Sequence, residues 1–256
     1  MHRFYLPPVR TPGEFLSLAP DDAHHAVRVL RLGAGDPLVI LDGVGSEFRG
    51  VIQSAGRQDV SVRIVETLRH PAPPTEITLV QAIAKAQAMD GIVHRAVELG
   101  CARIQPLLSE RSISRPDDLE AKRSRWQEMA IEAAKQSGNP WLTVIKPILT
   151  PREWLASPEG GGLTIIASLL DTPEPLESIL SSRGGGVGSR PSRVAVVVGP
   201  EGDFTPQEYD GFRQSGARAV SLGSLVLRVE TAAVALLAIV QYELNRRKGG
   251  GTPPPP

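Results

Sequence analysis

Apolar and polar positions change their rhythm near Pro71. Ahead of it, short apolar segments at 38–41, 47–53 and 60–65 are separated by turn residues such as Asp42-Gly43, a pattern that predicts strands joined as hairpins. A small β-barrel over 1–71 is expected. Residues 71–74, Pro-Ala-Pro-Pro, read as a linker. Beyond it, strand-like and helix-like segments alternate. A strand at 77–83 leads to a helix from about Met89 to Leu99, stopped by Gly100, and then to a strand at 102–108. A long helix, roughly Asp117 to Ser137, ends at Gly138-Asn139-Pro140. Thr150-Pro151-x-Glu153 and Thr205-Pro206-x-Glu208 each combine an N-cap, a proline in the first turn and a capping-box glutamate. The unbroken apolar run Val194 to Val198 has the character of a buried parallel strand. Residues 72–248 are therefore expected to form a parallel α/β domain.

Loops following the late strands carry the candidate chemistry. Val194–Val198 runs into Gly199, Pro200, Glu201 and Gly202 before a capped helix, and a second strand, Arg218 to Leu222, ends in Gly223 and Ser224. A third loop brings Leu227, Arg228 and Glu230 to the last helix. Glycine loops at two strand ends predict a ligand cleft.

This order of motifs resembles the SPOUT superfamily of RNA methyltransferases, and within it the RsmE family. The C-terminal pattern is GPEG, an aromatic residue, a helix cap with Glu three residues on, then LG and LR-x-ETA. Upstream, Lys85, Met89 and Asp90 lead to Glu98-Leu99-Gly100; Pro106, Leu107, Ser109, Glu110, Arg111 and Ser112 follow; and Arg125, Trp126, Gln127, Ala130, Ile131, Glu132, Gln136, Ser137 and Gly138 match a further segment. Near the start, His24, His25, Arg28, Val29, Leu30, Arg31, Gly35 and Asp36 match as well. Only the Gly-rich stretch 184–190 and the tail from Gly249 fall outside. The chain departs from the family at Asp203, where a second glycine is usual, at Leu225, commonly Arg, and at His94 and Arg95, usually an acid and a lysine.

The resemblance implies a fold and a reaction. The fold is an N-terminal PUA-like RNA-binding barrel followed by a SPOUT domain whose last elements, about Arg193 to Arg247, thread a trefoil knot. The reaction is methylation of N3 of a uridine in 16S ribosomal RNA with S-adenosyl-L-methionine. Its cofactor site falls on Val198, Gly199, Pro200, Glu201, Gly202, Leu222, Gly223, Val226, Leu227 and Thr231. Arg228 becomes the candidate that stabilises charge on the uracil oxygens, with Glu201 and Glu230 as candidate bases. The residues alone also allow Glu230 as a first-turn residue favoured by the helix dipole, and Arg228 as an ion-pair partner of Glu230 or of a partner subunit. RNA contacts fall on His24, His25, Arg28, Arg31, Lys85, Glu110 and Arg111. From the residues alone, the His24–Arg31 cluster reads equally as a solvated basic turn with one buried histidine, and Glu110 with Arg111 as a salt bridge. Two alternatives stand beside this function: methylation of a ribose 2′-hydroxyl, and a non-enzymatic RNA-binding or ribosome-assembly factor.

Composition adds limits. Equal numbers of basic and acidic residues, 28 each, leave any RNA site to local clustering. A single cysteine, Cys101, rules out an internal disulfide and a cysteine-cluster metal site, and is expected to be a small buried residue. No metal is expected. The N-terminal segment has no apolar core of a signal peptide, and the late apolar run 232–240 is too short to span a bilayer, so a cytoplasmic location is expected. The Gly-rich 184–190 segment formally contains G-x-G-x-G but neither follows a strand nor opens a helix, and is expected to be a flexible surface loop. Residues 249–256 are expected to be a disordered tail. No Walker A or strand-GxGxxG-helix pattern occurs, against a P-loop hydrolase or a Rossmann enzyme. The final helix is apolar on most of its circumference, which predicts burial on more than one side and hence a homodimer.

Overall fold

A computed structural model describes residues 1–8, 13–56, 59–112, 118–157, 162–168, 173–182 and 191–246. The expectations for the Gly-rich 184–190 segment, for the tail and for the first residue of the long helix, Asp117, lie outside these residues. The chain divides into two compact units: Met1–Ala72 with Ile131–Thr143, and Pro73–Ala130 with Val144–Pro256.

The first unit is built on a five-stranded sheet of β1 (His2–Tyr5), β2 (Phe15–Ser17), β3 (Pro37–Leu41), β4 (Ser46–Ala55) and β5 (Val60–Arg69), in the order β1-β3-β4-β5-β2. β3 to β5 are the three strands read from the sequence, and β1 joins β3 in parallel. The turn between β3 and β4 forms because the buried Asp42 carboxylate accepts the N–H groups of Val44 and Ser46 at 2.9 and 2.8 Å. One side of the sheet buries Phe4, Leu38, Ile40, Phe48, Ile52, Val60 and Val62 together with Ala23 and Ala26. Ala23 belongs to α1 (Pro20–His24) and Ala26 to the π-helical turn His25–Val29 that follows. The sequence did not foretell that residues 131–143 would return to this unit. Arg3 donates to the Gln136 carbonyl at 3.1 Å, Lys135 pairs with Asp22 at 3.3 Å, and Trp141 bridges to Val44.

In the second unit, six strands pair entirely in parallel in the order β11-β9-β10-β6-β7-β8. They are β6 (Glu76–Ala82), β7 (Arg103–Leu107), β8 (Val144–Ile145), β9 (Leu163–Ala167), β10 (Arg193–Val198) and β11 (Arg218–Val220). β10 lies between β9 and β6, which explains its uninterrupted apolar run. The helices are α2 (Ala86–Glu98), α3 (Leu119–Ser137, whose last turns count with the first unit), α4 (Pro151–Ala156), α5 (Leu176–Ser182), α6 (Pro206–Gln214) and α7 (Val229–Arg246). α4 and α6 cover one sheet face, where Trp154, Tyr209 and Phe212 pack on Val80, Ala195, Val197 and Ile166. α2 and α7 pack together, and α7 lies on β6 and β10. Both expected capping boxes form, at Thr150 with Glu153 and at Thr205 with Glu208. Each such cap is worth about 1 kcal/mol to its helix. Among the described residues, no helix is long and apolar enough to cross a membrane.

Candidate active site

All parallel strands point the same way, so the loops after β9, β10 and β11 gather at one end of the sheet, where ligands of such sheets bind. Between them lies a cleft with about 690 Å³ of space between protein atoms, partly open to solvent. Val198, Gly199, Pro200 and Glu201 form one wall, and Leu222, Gly223, Val226 and Leu227 another. Of the ten expected cofactor residues, Gly202 and Thr231 are the two that do not line it. Gly202 faces the Arg111 side chain instead, and Thr231 lies exposed on the first turn of α7.

Two glycines have a physical reason to be glycine. Gly223 has φ +120°, a region essentially closed to side chains, and a Cβ there would meet no protein atom within 4 Å. Gly223 therefore leaves open space at an exposed position on the cleft's lining. At Gly199 a Cβ would come within 3.0 Å of the Asp203 Oδ1 and 3.4 Å of the Phe204 ring. The loop therefore closes tightly upon itself.

Asp203 and Tyr209 also line the cleft, and the sequence had not marked them as site residues. Asp203 holds φ +59°, where Asp is tolerated because its short side chain bonds locally. Its Oδ1 accepts from the Phe204 N–H and from the Tyr209 hydroxyl, both at 2.8 Å. The periodicity of α6 signals Tyr209 only as a core residue, since its ring is buried against Phe204 and only its hydroxyl reaches the loop.

Charged candidates take varied positions. The Glu201 carboxylate lines the cleft and accepts the Lys85 N–H at 2.9 Å, tying the loop to the start of α2. Arg228 is exposed beside the cleft rather than in its lining, and its guanidinium makes no hydrogen bond or ion pair among the described residues; the expected alternative of pairing with Glu230 is not found. Glu230 sits half-buried in the first turn of α7, also outside the cleft lining. Arg111 does not pair with Glu110: it donates to the carbonyls of Gly202 at 3.2 Å and Phe204 at 3.4 Å. Glu110 offers its N–H to the Glu208 carboxylate at 2.9 Å. Both thus brace the loop before α6. In the first unit His24, His25, Arg28 and Arg31 are all exposed, so neither histidine takes the buried role that the residues alone allowed. Ala23 and Ala26 are the members of this turn that enter the core.

Cys101 is buried, with its Sγ near the carbonyls of Arg103 at 2.9 Å and Ile77 at 3.3 Å, and burial pushes its thiol up to about 12. Among the described residues no cluster of His, Cys, Asp and Glu is placed to hold a metal ion.

Residues 71–241 match the family described as RNA methyltransferase domain, and residues 18–65 match the RNA methyltransferase PUA domain. The ribosomal RNA small subunit methyltransferase E of Aquifex aeolicus is 30% identical over 94% of this chain and 99% of its own length, and that of Rickettsia conorii 30% identical over 94% and 95%. The crystal structure of the same enzyme from Neisseria gonorrhoeae, bound to S-adenosyl methionine, superposes with a TM-score of 0.80 at 31% identity, covering 94% of this chain and 97% of that one. With the cleft at the strand ends, the PUA match before it and likeness along nearly the whole chain, this protein belongs to the RsmE family of RNA methyltransferases.

Proposed function

We propose that this chain methylates N3 of a uridine in 16S ribosomal RNA of the small subunit, with S-adenosyl-L-methionine as donor. The observation that carries the proposal is the cleft at the ends of β10 and β11, open where Gly223 lacks a side chain. Backbone at Gly199 and Gly223 can approach a flat adenosine closely, while Leu222, Val226 and Leu227 supply apolar contact. The donor contributes a methyl group already activated by its sulfonium. The protein's task is to align the acceptor nitrogen and to favour loss of its proton.

Arg228 is assigned to the developing negative charge on the uracil oxygens. It stands beside the cleft on the segment entering α7, with its guanidinium uncommitted among the described residues. Glu201 is assigned a positioning role, because its carboxylate already holds the Lys85 N–H. Glu230 remains the candidate base at the start of α7. Lys85 is exposed at the N-terminus of α2, where it can meet the RNA, and Arg111 acts on that surface through the loop it braces.

The first unit is assigned to RNA capture through the exposed turn of His24, His25, Arg28 and Arg31. A homodimer is supported by α7 and the loop ahead of it, where Ile239 and Tyr242, with Leu225 and Val226, leave large apolar side chains 44–81% exposed. The trefoil threading of the C-terminal elements and a cytoplasmic site of action complete the proposal.

One experiment tests the reaction. Small-subunit ribosomal RNA is incubated with enzyme and donor, digested to nucleosides and resolved by mass spectrometry. 3-Methyluridine is expected; a 2′-O-methylated nucleoside, or no modification by a cofactor-loaded protein, refutes it.

A further inference from the structure

The opposite end of the same sheet holds a second cavity, with about 680 Å³ of space between protein atoms, partly open to solvent. Its floor is a row across four neighbouring strands. Thr164 on β9 is in register with Ala195 on β10, Ala195 with Thr78 on β6, and Thr78 with Arg103 on β7. Residues in register share one face, so these side chains stand together. Arg193, two residues before Ala195, lines the cavity from the same face. Farther along the strands this face is apolar and covered by Trp154 and Phe212. Among the described residues, none of α4 or α6 lines the cavity.

Its chemistry is that of an anion site. The Arg103 guanidinium donates to the Glu76 carboxylate at 2.7 Å, and the Arg193 Nε lies 4.0 Å from the same oxygen. Both guanidiniums thus lie against the Glu76 carboxylate, which does not itself line the cavity. The hydroxyls of Thr164 and Thr78 make no hydrogen bond among the described residues, and both residues line the cavity. Two guanidiniums and two hydroxyls therefore line the cavity, donors of the kind that bind a phosphate group.

We infer that this cavity binds a phosphate group. An RNA backbone phosphate is the expected source, a step that rests on the methyltransferase function proposed above; free phosphate is the other. The cavity is about 15 Å from the cofactor cleft, the rise of four to five strand residues, so it would hold an RNA strand outside the reacting nucleotide.

Two measurements on the full chain test this, for wild type, Arg193→Gln and Thr164→Val. One is calorimetric titration with inorganic phosphate; the other is binding to a fragment of small-subunit ribosomal RNA over a salt series. Arg193 is largely exposed, and Thr164→Val keeps the side chain's shape on its strand, so both variants should fold, which circular dichroism checks. Phosphate binding is expected to weaken about tenfold or more in each variant. For an RNA source, the salt slope should also fall by roughly 0.7 in Arg193→Gln, one backbone contact on a single strand. Loss of phosphate binding with an unchanged RNA slope supports the site with free phosphate as its ligand. A reduced RNA slope without measurable phosphate binding supports it with the RNA strand. Variants that bind both probes as wild type does overturn the inference. S-adenosyl-L-methionine binding, measured on the same samples, separates that result from failure of the methyltransferase proposal, because the phosphate arm does not depend on it.

Discussion

Replacing Gly223 by Val separates a blocked cleft from a damaged loop. The backbone there has φ +120°, and holding a side chain in such a conformation costs about 1–3 kcal/mol. For a chain of this size each kcal/mol lowers Tm by roughly 2–4 °C. Gly223 and its neighbour Ser224 are exposed, so the backbone can relax, and the loss should lie near the lower end, about 2–4 °C. No protein atom lies within 4 Å of the new Cβ, so a steric clash adds nothing to this in the unliganded chain. A ligand in the cleft, however, would meet the added side chain. Calorimetric affinity for S-adenosyl-L-methionine should fall at least about tenfold, or 1.4 kcal/mol. Gly202→Ala is the control. Its Cβ would touch the Arg111 Cβ at 3.4 Å, an ordinary contact, and Gly202 does not line the cleft. Affinity there should stay within about threefold of wild type, less than 0.7 kcal/mol. Unchanged affinity in Gly223→Val would refute the assigned cleft. Equal losses in both variants would mean that the loop's conformation, not the open space at Gly223, governs binding.

Arg228→Ala should lower single-turnover methylation by about a hundred- to a thousandfold, the loss expected for one donor to a developing oxyanion. Melting temperature should not move, because no ion pair of Arg228 exists among the described residues, and Arg228→Lys should restore only part of the rate. Arg28→Ala combined with Arg31→Ala should weaken RNA binding and lower its salt slope by roughly 0.7–0.9 for each phosphate no longer neutralised, with cofactor affinity unchanged by calorimetry. Ile239→Asp with Tyr242→Arg should shift the mass seen by light scattering at micromolar concentration from dimer to monomer; a wild-type monomer would sink the dimer outright. Cys101, at about 12, should carry about one thiolate per ten thousand molecules at pH 8 and resist iodoacetamide until the chain unfolds. Because the folded pKa is raised, only the unfolded chain sheds this proton above about pH 9, so the Cys101 contribution to stability should fall from pH 9 towards 12, as denaturation midpoints can show.

Local signals carried much of this architecture. The strands at 37–41, 46–55, 60–69, 76–82, 103–107 and 193–198 come from segments where apolar pattern and turn residues agree, and both Thr-Pro-x-Glu caps close as written. Long-range pairing escaped it. β1 offers only four residues and is a strand because β3 binds it in parallel; β8 has two residues beside β7. Nothing in the helical pattern of 119–137 says that its end should pack with the first unit, since that depends on Lys135 meeting Asp22 and on the turn at Trp141. At the site, the loop glycines were legible because a bare backbone leaves a mark in sequence. The roles of Arg111, Glu110 and Glu208 were not, because they bind backbone groups about a hundred residues away in sequence.

Local hydrogen bonds explain how the loop tolerates Asp203 where the family usually has glycine. A non-glycine residue at positive φ costs about 1–2 kcal/mol. Against this, hydrogen bonds to a charged acceptor contribute about 1.5–3 kcal/mol each when shielded, and less at a half-buried carboxylate. Asp203 has two, from Phe204 and Tyr209, so the aspartate offsets its own strain. The rest of the loop is fixed from three sides: Arg111 holds the Gly202 and Phe204 carbonyls, the Lys85 N–H holds Glu201, and Glu208 joins the Glu110 N–H to the Thr205 cap. None of these bonds activates a nucleophile. Their common effect is to fix where the cleft walls stand. For a methyl group whose leaving group is built in, alignment is the larger share of what a protein can supply, and it falls off steeply with displacements of about 1 Å. A braced loop beside the open space at Gly223 is the arrangement such a reaction requires.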